Sequence, residues 1–200
     1  MEKTFIADRI KVACVGDSIT CGGAIQEEEK RYPAQLQSLL EGEYLVQNFG
    51  VSGATLLKSG NKPYWTEPDF LTSHAFNPQI VVIKLGTNDS KPENWKHKDQ
   101  FVQDYLNLIK SYHDLGSNPK VFICRPIPAF GFGNFGITDE VIKNEVIPLI
   151  DLVAQKAGVP VIDLYDALNW KGDLVPDRVH PNAEGARLIA EAVLEAINPK

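Results

Sequence analysis

Short apolar runs alternate with amphipathic stretches along almost the whole of this chain. IKVACVG (10–16), YLVQNFG (44–50), QIVVIKLG (79–86), KVFICRP (120–126) and VPVIDL (159–164) each have the length of a buried strand. Helical patterns fall between and after them. RYPAQLQSLLEG (31–42) spaces Leu36, Leu39 and Leu40 on one face, and KDQFVQDYLNLIKSYHDLG (98–116) repeats Phe101, Val102, Tyr105, Leu108, Ile109 and Tyr112 at helical intervals, with Gly116 just past its end. DEVIKNEVIPLIDLVAQKAG (139–158) predicts a helix bent at Pro148, and NAEGARLIAEAVLEAIN (182–198) predicts a last helix. Parallel strands need a long crossover, which a helix supplies. The alternation therefore predicts an α/β fold: a three-layer α/β/α sandwich around a five-stranded parallel sheet with flavodoxin-like strand order. With no linker, repeat or low-complexity tract, residues 1–200 are expected to form one domain.

Charge narrows the partners. The formal net charge is −6, and Lys and Arg occur only in short pairs such as Lys30-Arg31. Phosphate backbones and anionic membrane surfaces reward basic patches, so neither nucleic acid nor a membrane is an expected partner. No run reaches the roughly 18 apolar residues of a spanning helix. MEKTFIADRIKV lacks the apolar centre of a secretory leader and predicts a soluble, cytoplasmic chain, periplasmic or secreted if a leader was removed. Cys14, Cys21 and Cys124 are odd in number, and two lie in apolar runs, so they read as free thiols and not as a disulfide or metal framework. Nothing in the sequence sets an oligomeric state.

In open parallel sheets ligands bind beyond the carboxyl ends of the strands. Polar residues gather there: Asp17-Ser18 after the first run, Asn48 to Gly53 around the end of the second, Asn88-Asp89 after the third. Ser18 reads either as part of a helix cap or as a nucleophile. A nucleophilic serine needs a base, an orienter for the base and donors for the oxyanion. His74, His97 and His113 lie in polar surroundings and read as structural or solvated. His180, in VPDRVHPN, stands three residues after Asp177, so a single turn lets the carboxylate hold one ring nitrogen and leaves the other for Ser18. The competing reading is a plain turn before a helix capped by Asn182. GVSGA (50–54) misses the G-x-S-x-G elbow at its fifth position, so Ser52 is no elbow serine and the glycines read as backbone brought close to a ligand. The Asn88 amide can serve an oxyanion or a turn. Asp17 and Asp89 are expected to hold loops through backbone hydrogen bonds, and Thr20 to be structural.

Together GDSIT, NFGVSGATL, LGTND and DRVHPN resemble the four sequence blocks of the SGNH (GDSL) hydrolase superfamily, in the same order and spread from residue 12 to 182. The resemblance implies a Ser18–His180–Asp177 triad, an oxyanion hole from the Ser18 and Gly53 amides and the Asn88 side chain, and ester or thioester hydrolysis without metal or cofactor. LGTNDSKPENW more loosely resembles branches that deacetylate carbohydrates, so the expected substrate is a small-molecule or saccharide ester carrying a short acyl group. Lysophospholipid or thioester hydrolysis is the alternative within the superfamily.

GFGNFG (131–136) argues for something else. It matches the dinucleotide pattern G-x-G-x-x-G, follows a strand and precedes a helix, which admits a non-catalytic nucleotide-binding module. The intervening PIPAF spoils the tight strand-to-helix turn, and an aromatic lid over a pocket explains the segment better. Among other residues of the same face, Trp65, Trp95 and Phe130 read as sugar- or acyl-stacking groups or as core cover, and Arg125 as a contact for an anionic substrate or a structural ion pair.

Overall fold

The computed structural model describes residues 9–198; the first eight residues of the N-terminal segment lie outside it. The elements run β1 (Ile10–Gly16), α1 (Ser18–Cys21), α2 (Tyr32–Leu40), β2 (Tyr44–Gly50), α3 (Pro68–Ala75), β3 (Ile80–Lys84), α4 (Pro92–Trp95), α5 (Phe101–His113), β4 (Lys120–Arg125), α6 (Asp139–Val141), α7 (Ile147–Ala157), β5 (Val161–Asp163), α8 (Leu164–Leu168) and α9 (Ala183–Ile197). All five strands are parallel, in the order β2-β1-β3-β4-β5. This is the flavodoxin-like order that the alternation predicts.

Alternation along the strands separates two cores. Ala13, Val15, Val81, Ile83, Val121 and Ile123 face one side, where they pack with α5 and α7 through Phe101, Tyr105, Leu108, Ile150 and Val153. Val12, Cys14, Val82, Phe122 and Cys124 face the other, against α2, α8 and α9 through Leu36, Leu164, Ile189 and Val193. Each fully buried aliphatic side chain of this kind contributes about 1.5–3 kcal/mol relative to exposure, so the two layers fix which helix lies on which face.

Helix ends follow local chemistry. Asn182 caps α9 by accepting from the Glu184 and Gly185 amides, and Gly158 ends α7 with φ +67°. The bend expected at Pro148 takes the form of a π-helical segment, Ile142–Val146, between α6 and α7. Proline lacks an N–H and crowds the carbonyl four residues back, and the wider π turn places the ring at the start of a regular helix where neither matters.

Candidate active site

Every strand but one feeds a loop at the same end of the sheet that carries part of the site. β1 ends at Gly16 and turns directly into α1. A Cβ on Gly16 would meet Thr20 Oγ1 at 2.1 Å and the Lys84 carbonyl at 2.6 Å, and one on Gly50 would meet the Cys21 nitrogen at 2.2 Å. Glycine at both positions lets α1 settle between the ends of β2 and β3, with Ser18 in its first turn.

Asp17 holds this turn. Its carboxylate accepts from the Ile19 amide at 3.0 Å and pairs with Lys84 Nζ at 2.9 Å, both side chains fully buried. Lys84 also donates to Thr87 Oγ1 at 2.6 Å. Removing one member of a buried pair leaves an uncompensated charge and costs about 3–5 kcal/mol. Asp89 makes the second clamp, accepting from the Leu56 and Leu57 amides at 3.0 and 2.7 Å. Both aspartates thus bind backbone as the sequence suggests. The Lys84 partnership was not legible in it.

Ser18 is 7% exposed, and its Oγ lies 2.8 Å from His180 Nε2. His180 Nδ1 lies 2.7 Å from Asp177 Oδ2. A carboxylate can only accept, so Nδ1 carries the proton and Nε2 is left to accept from the serine hydroxyl. The other oxygen of Asp177 accepts from the backbone amides of Val179 (2.9 Å) and His180 (2.6 Å). Burial alone would raise the Asp177 pKa, but these amide bonds and the His180 ring outweigh it and hold the carboxyl below its ordinary value. The cap and the carboxylate–ring contact coexist in this segment: Asn182 caps α9, and Asp177 still reaches the ring.

Val51 to Ala54 form a β-turn closed by the Ala54 amide on the Val51 carbonyl at 3.1 Å. Gly53 has φ +81° while Ser52 stays at negative φ, the combination of a type II turn with glycine at its third position. Asn88 Nδ2 donates to the Ala54 carbonyl at 3.1 Å, which ties Asn88 to this turn; among the described residues its second amide hydrogen has no protein acceptor. Among the described residues, neither the Ser18 nor the Gly53 amide has a protein acceptor. A Cβ on Gly23 would sit 3.7 Å from Ser18 Cβ and 3.8 Å from Ser52 Oγ, so the turn lies just across Gly23 from the serine.

The other residues that the sequence offers to substrate have protein contacts of their own. Trp95 is 7% exposed, packs on Phe101 and donates its indole N–H to Glu145 at 2.8 Å. Trp65 donates to the Leu56 carbonyl at 2.9 Å, beneath Lys58. Arg125 is bound to Asp151 and Asp163, the structural alternative. Phe130 packs into the α8–α9 core against Gly172. A loop has no repeat that tells which side chains turn inward, so the sequence alone does not choose between stacking and core cover for these aromatics. The ring beside the site is Phe135, edge-on to His180 at 5.6 Å between centroids. His74 is structural, as expected: it stacks on Tyr112 and bonds the Phe70 carbonyl and Ser111, and burial lowers its pKa.

Residues 131–136 do not make a nucleotide cradle. The next helix starts only at Asp139, Asn134 and Ile137 form a bridge of their own, and the loop's bonds run to the histidine segment. The Phe130 amide donates to the Arg178 carbonyl at 3.0 Å and Asn134 to the Asp177 carbonyl at 3.1 Å. Among the described residues no three His, Cys, Asp or Glu side chains gather as a metal site, and no helix is long and apolar enough to cross a membrane.

A narrow crevice beside the serine is lined by Ile19, Gly23, Ile25, His180 and Pro181. A roomier hollow beside the β2 edge, lined by Cys21, Glu28, Arg31 and Asn48 among others, contains neither Ser18 nor His180.

Known proteins resemble this chain in sequence and fold. An acetylxylan esterase of Xylanibacter ruminicola is 44% identical over 209 residues, covering 95% of this chain and 43% of the relative, so the chain spans less than half of that protein's length. Among solved structures, the acetyl xylan esterase AlAXEase superimposes with a TM-score of 0.71 at 27% identity, covering 94% of this chain and 100% of that one. Est24, a carbohydrate acetylesterase from Sinorhizobium meliloti, gives 0.76 at 22% identity, over 94% and 98% of the two chains, a likeness of fold. The sequence model of the GDSL-like lipase/acylhydrolase family matches residues 14–188, from β1 into α9, and the chain belongs to that family.

Proposed function

We propose that this chain is a serine esterase that removes acetyl groups from a carbohydrate. The observation that carries the reading is the hydrogen-bonded relay from Asp177 through His180 to Ser18, at 2.7 and 2.8 Å. His180 Nε2 takes the hydroxyl proton as Ser18 Oγ attacks the ester carbonyl. Asp177 keeps the imidazole in the needed tautomer and stabilises the imidazolium that forms. The amides of Ser18 and Gly53 and the second N–H of Asn88 receive the oxyanion, each such donor contributing about 3–4 kcal/mol in the transition state. His180 returns the proton to the departing alcohol, leaving an acetyl-enzyme. Water, deprotonated by the same nitrogen, attacks the acyl carbon, and Ser18 leaves with the proton.

The short acyl group rests on the acetylxylan esterase relative, 44% identical to this chain. The lysophospholipase and thioesterase reading predicts the opposite preference, for longer acyl chains. The saccharide side rests on the acetylxylan esterase relative and on the ring of Phe135 at the mouth of the site, which offers a sugar face an apolar partner.

Acetate release from acetylated xylan, run beside p-nitrophenyl acetate, butyrate and octanoate, tests both halves. Acetate should be released from the polymer, and kcat/KM should fall at least about 100-fold from acetyl to octanoyl if the site is made for an acetyl group, each extra methylene that does not fit costing about 1–3 kcal/mol. Equal rates on octanoate would refute the short-acyl reading, and hydrolysis of the aryl acetate without any release from acetylated saccharides would refute the carbohydrate reading.

A further inference from the structure

The turn at residues 51–54 depends on a residue outside it. Lys62 Nζ donates to the Ser52 carbonyl at 3.0 Å. That carbonyl belongs to the same peptide unit as the Gly53 N–H, and among the described residues every peptide is trans, so the two groups point in opposite directions. Type I and type II turns differ by a flip of this central peptide. A cation holding the carbonyl on one side therefore fixes the N–H on the other.

From this geometry we infer that Lys62 is a positioning residue, which sets the direction and the donor strength of the Gly53 N–H. The inference rests on the reading of Gly53 as an oxyanion donor. An ammonium on the carbonyl polarises the amide and makes its hydrogen a stronger donor. The Lys62 stem runs beside Gly53, with Cδ 3.7 Å from where a Cβ would stand, and the ammonium has Glu67 at 3.9 Å as its carboxylate neighbour.

The segment that presents Lys62 is itself tied to the site. The Lys62 carbonyl accepts from Thr55 at 2.8 Å, just beyond the turn. Asn61 exchanges hydrogen bonds with the buried Asn94, amide to Oδ1 at 2.8 Å and Nδ2 to Oδ1 at 3.1 Å. Asn94 also donates to the Asn88 carbonyl at 2.8 Å. One short segment is thus linked to two of the three oxyanion donors, to Gly53 through Lys62 and to Asn88 through Asn94.

Lys62→Met keeps the stem and removes the ammonium, and Lys62→Arg keeps a donor. With p-nitrophenyl acetate, Lys62→Met should lower kcat about tenfold, a part of the 10²–10³ lost with a whole oxyanion donor. KM should stay within about twofold and the melting temperature within about 2 °C, because the bond is partly exposed and makes little stability. Lys62→Arg should recover kcat to within about threefold of wild type, since a guanidinium also donates to a carbonyl. A Lys62→Met kcat within twofold of wild type overturns the inference, and so does a rise confined to KM, which would make Lys62 a substrate contact. A loss that tracks a fall in melting temperature and is not rescued by arginine overturns it too, as a structural role. Ser18→Ala run beside them separates the two claims: if it keeps wild-type activity, the esterase reading fails and Lys62 falls with it, whereas an inactive Ser18→Ala with a normal Lys62→Met removes Lys62 alone.

Discussion

Asp177 shows how much one side chain does here. One oxygen binds two backbone amides and so shapes the loop, while the other faces the His180 ring. Among the described residues, the ring's Nδ1 has no backbone carbonyl as a second orienter. Asp177→Asn therefore leaves the loop bonds an acceptor but forces the wrong tautomer on the imidazole, and it should lower kcat by about 10³–10⁴, with KM little changed. Steady-state kinetics on an aryl acetate checks this, and a loss below tenfold would mean that His180 is oriented without the carboxylate. The residues of this relay were legible in the sequence because each sits in a short block with its own chemistry. Lys84 was not. It lies inside QIVVIKLG, where a single charge carries no sign of its partner, and only the placement of β1 beside β3 brings it to Asp17.

At the scale of elements, the strands were read well and the loops poorly, for a physical reason. A buried strand must be apolar along its length, so its limits appear in composition; β1 and β2 match their apolar runs residue for residue. Short helices such as α3 and α4 are too brief to show a period, although Pro68 and Pro92 mark their first turns. The loop from Val51 to Leu57 has no regular ladder and is held by Asp89. Burial pushes the Asp89 carboxyl up to about 6, the two amide bonds opposing the rise. Its pKa in the unfolded chain is about 3.9, so the folded state binds the proton more tightly. The contribution to stability is fully present below about pH 4 and lost as pH rises towards 6, on the order of 3 kcal/mol. The melting temperature of wild type minus that of Asp89→Asn should accordingly shrink from pH 4 to pH 6.5 at constant ionic strength. A difference that widens over this range would contradict the buried, proton-holding carboxyl.

Across the whole molecule, the parallel sheet brings together residues far apart in the chain. Ser18 and His180 are 162 positions apart and share a hydrogen bond, because both follow strands that end on the same edge. The order β2-β1-β3-β4-β5 places the turn after β2 and the loop after β3 on either side of the loop after β1, which is where an oxyanion formed at Ser18 needs donors. The two cores hold that edge in place without themselves taking part in the chemistry. Everything proposed for the site depends on Ser18 acting as the nucleophile. The most direct measurement is intact-protein mass after exposure to a fluorophosphonate, for wild type and Ser18→Ala, with the modified residue located by peptide sequencing. The account predicts one adduct on wild type, on Ser18, and none on Ser18→Ala. An equal adduct on the variant, or an adduct on another residue, would contradict it.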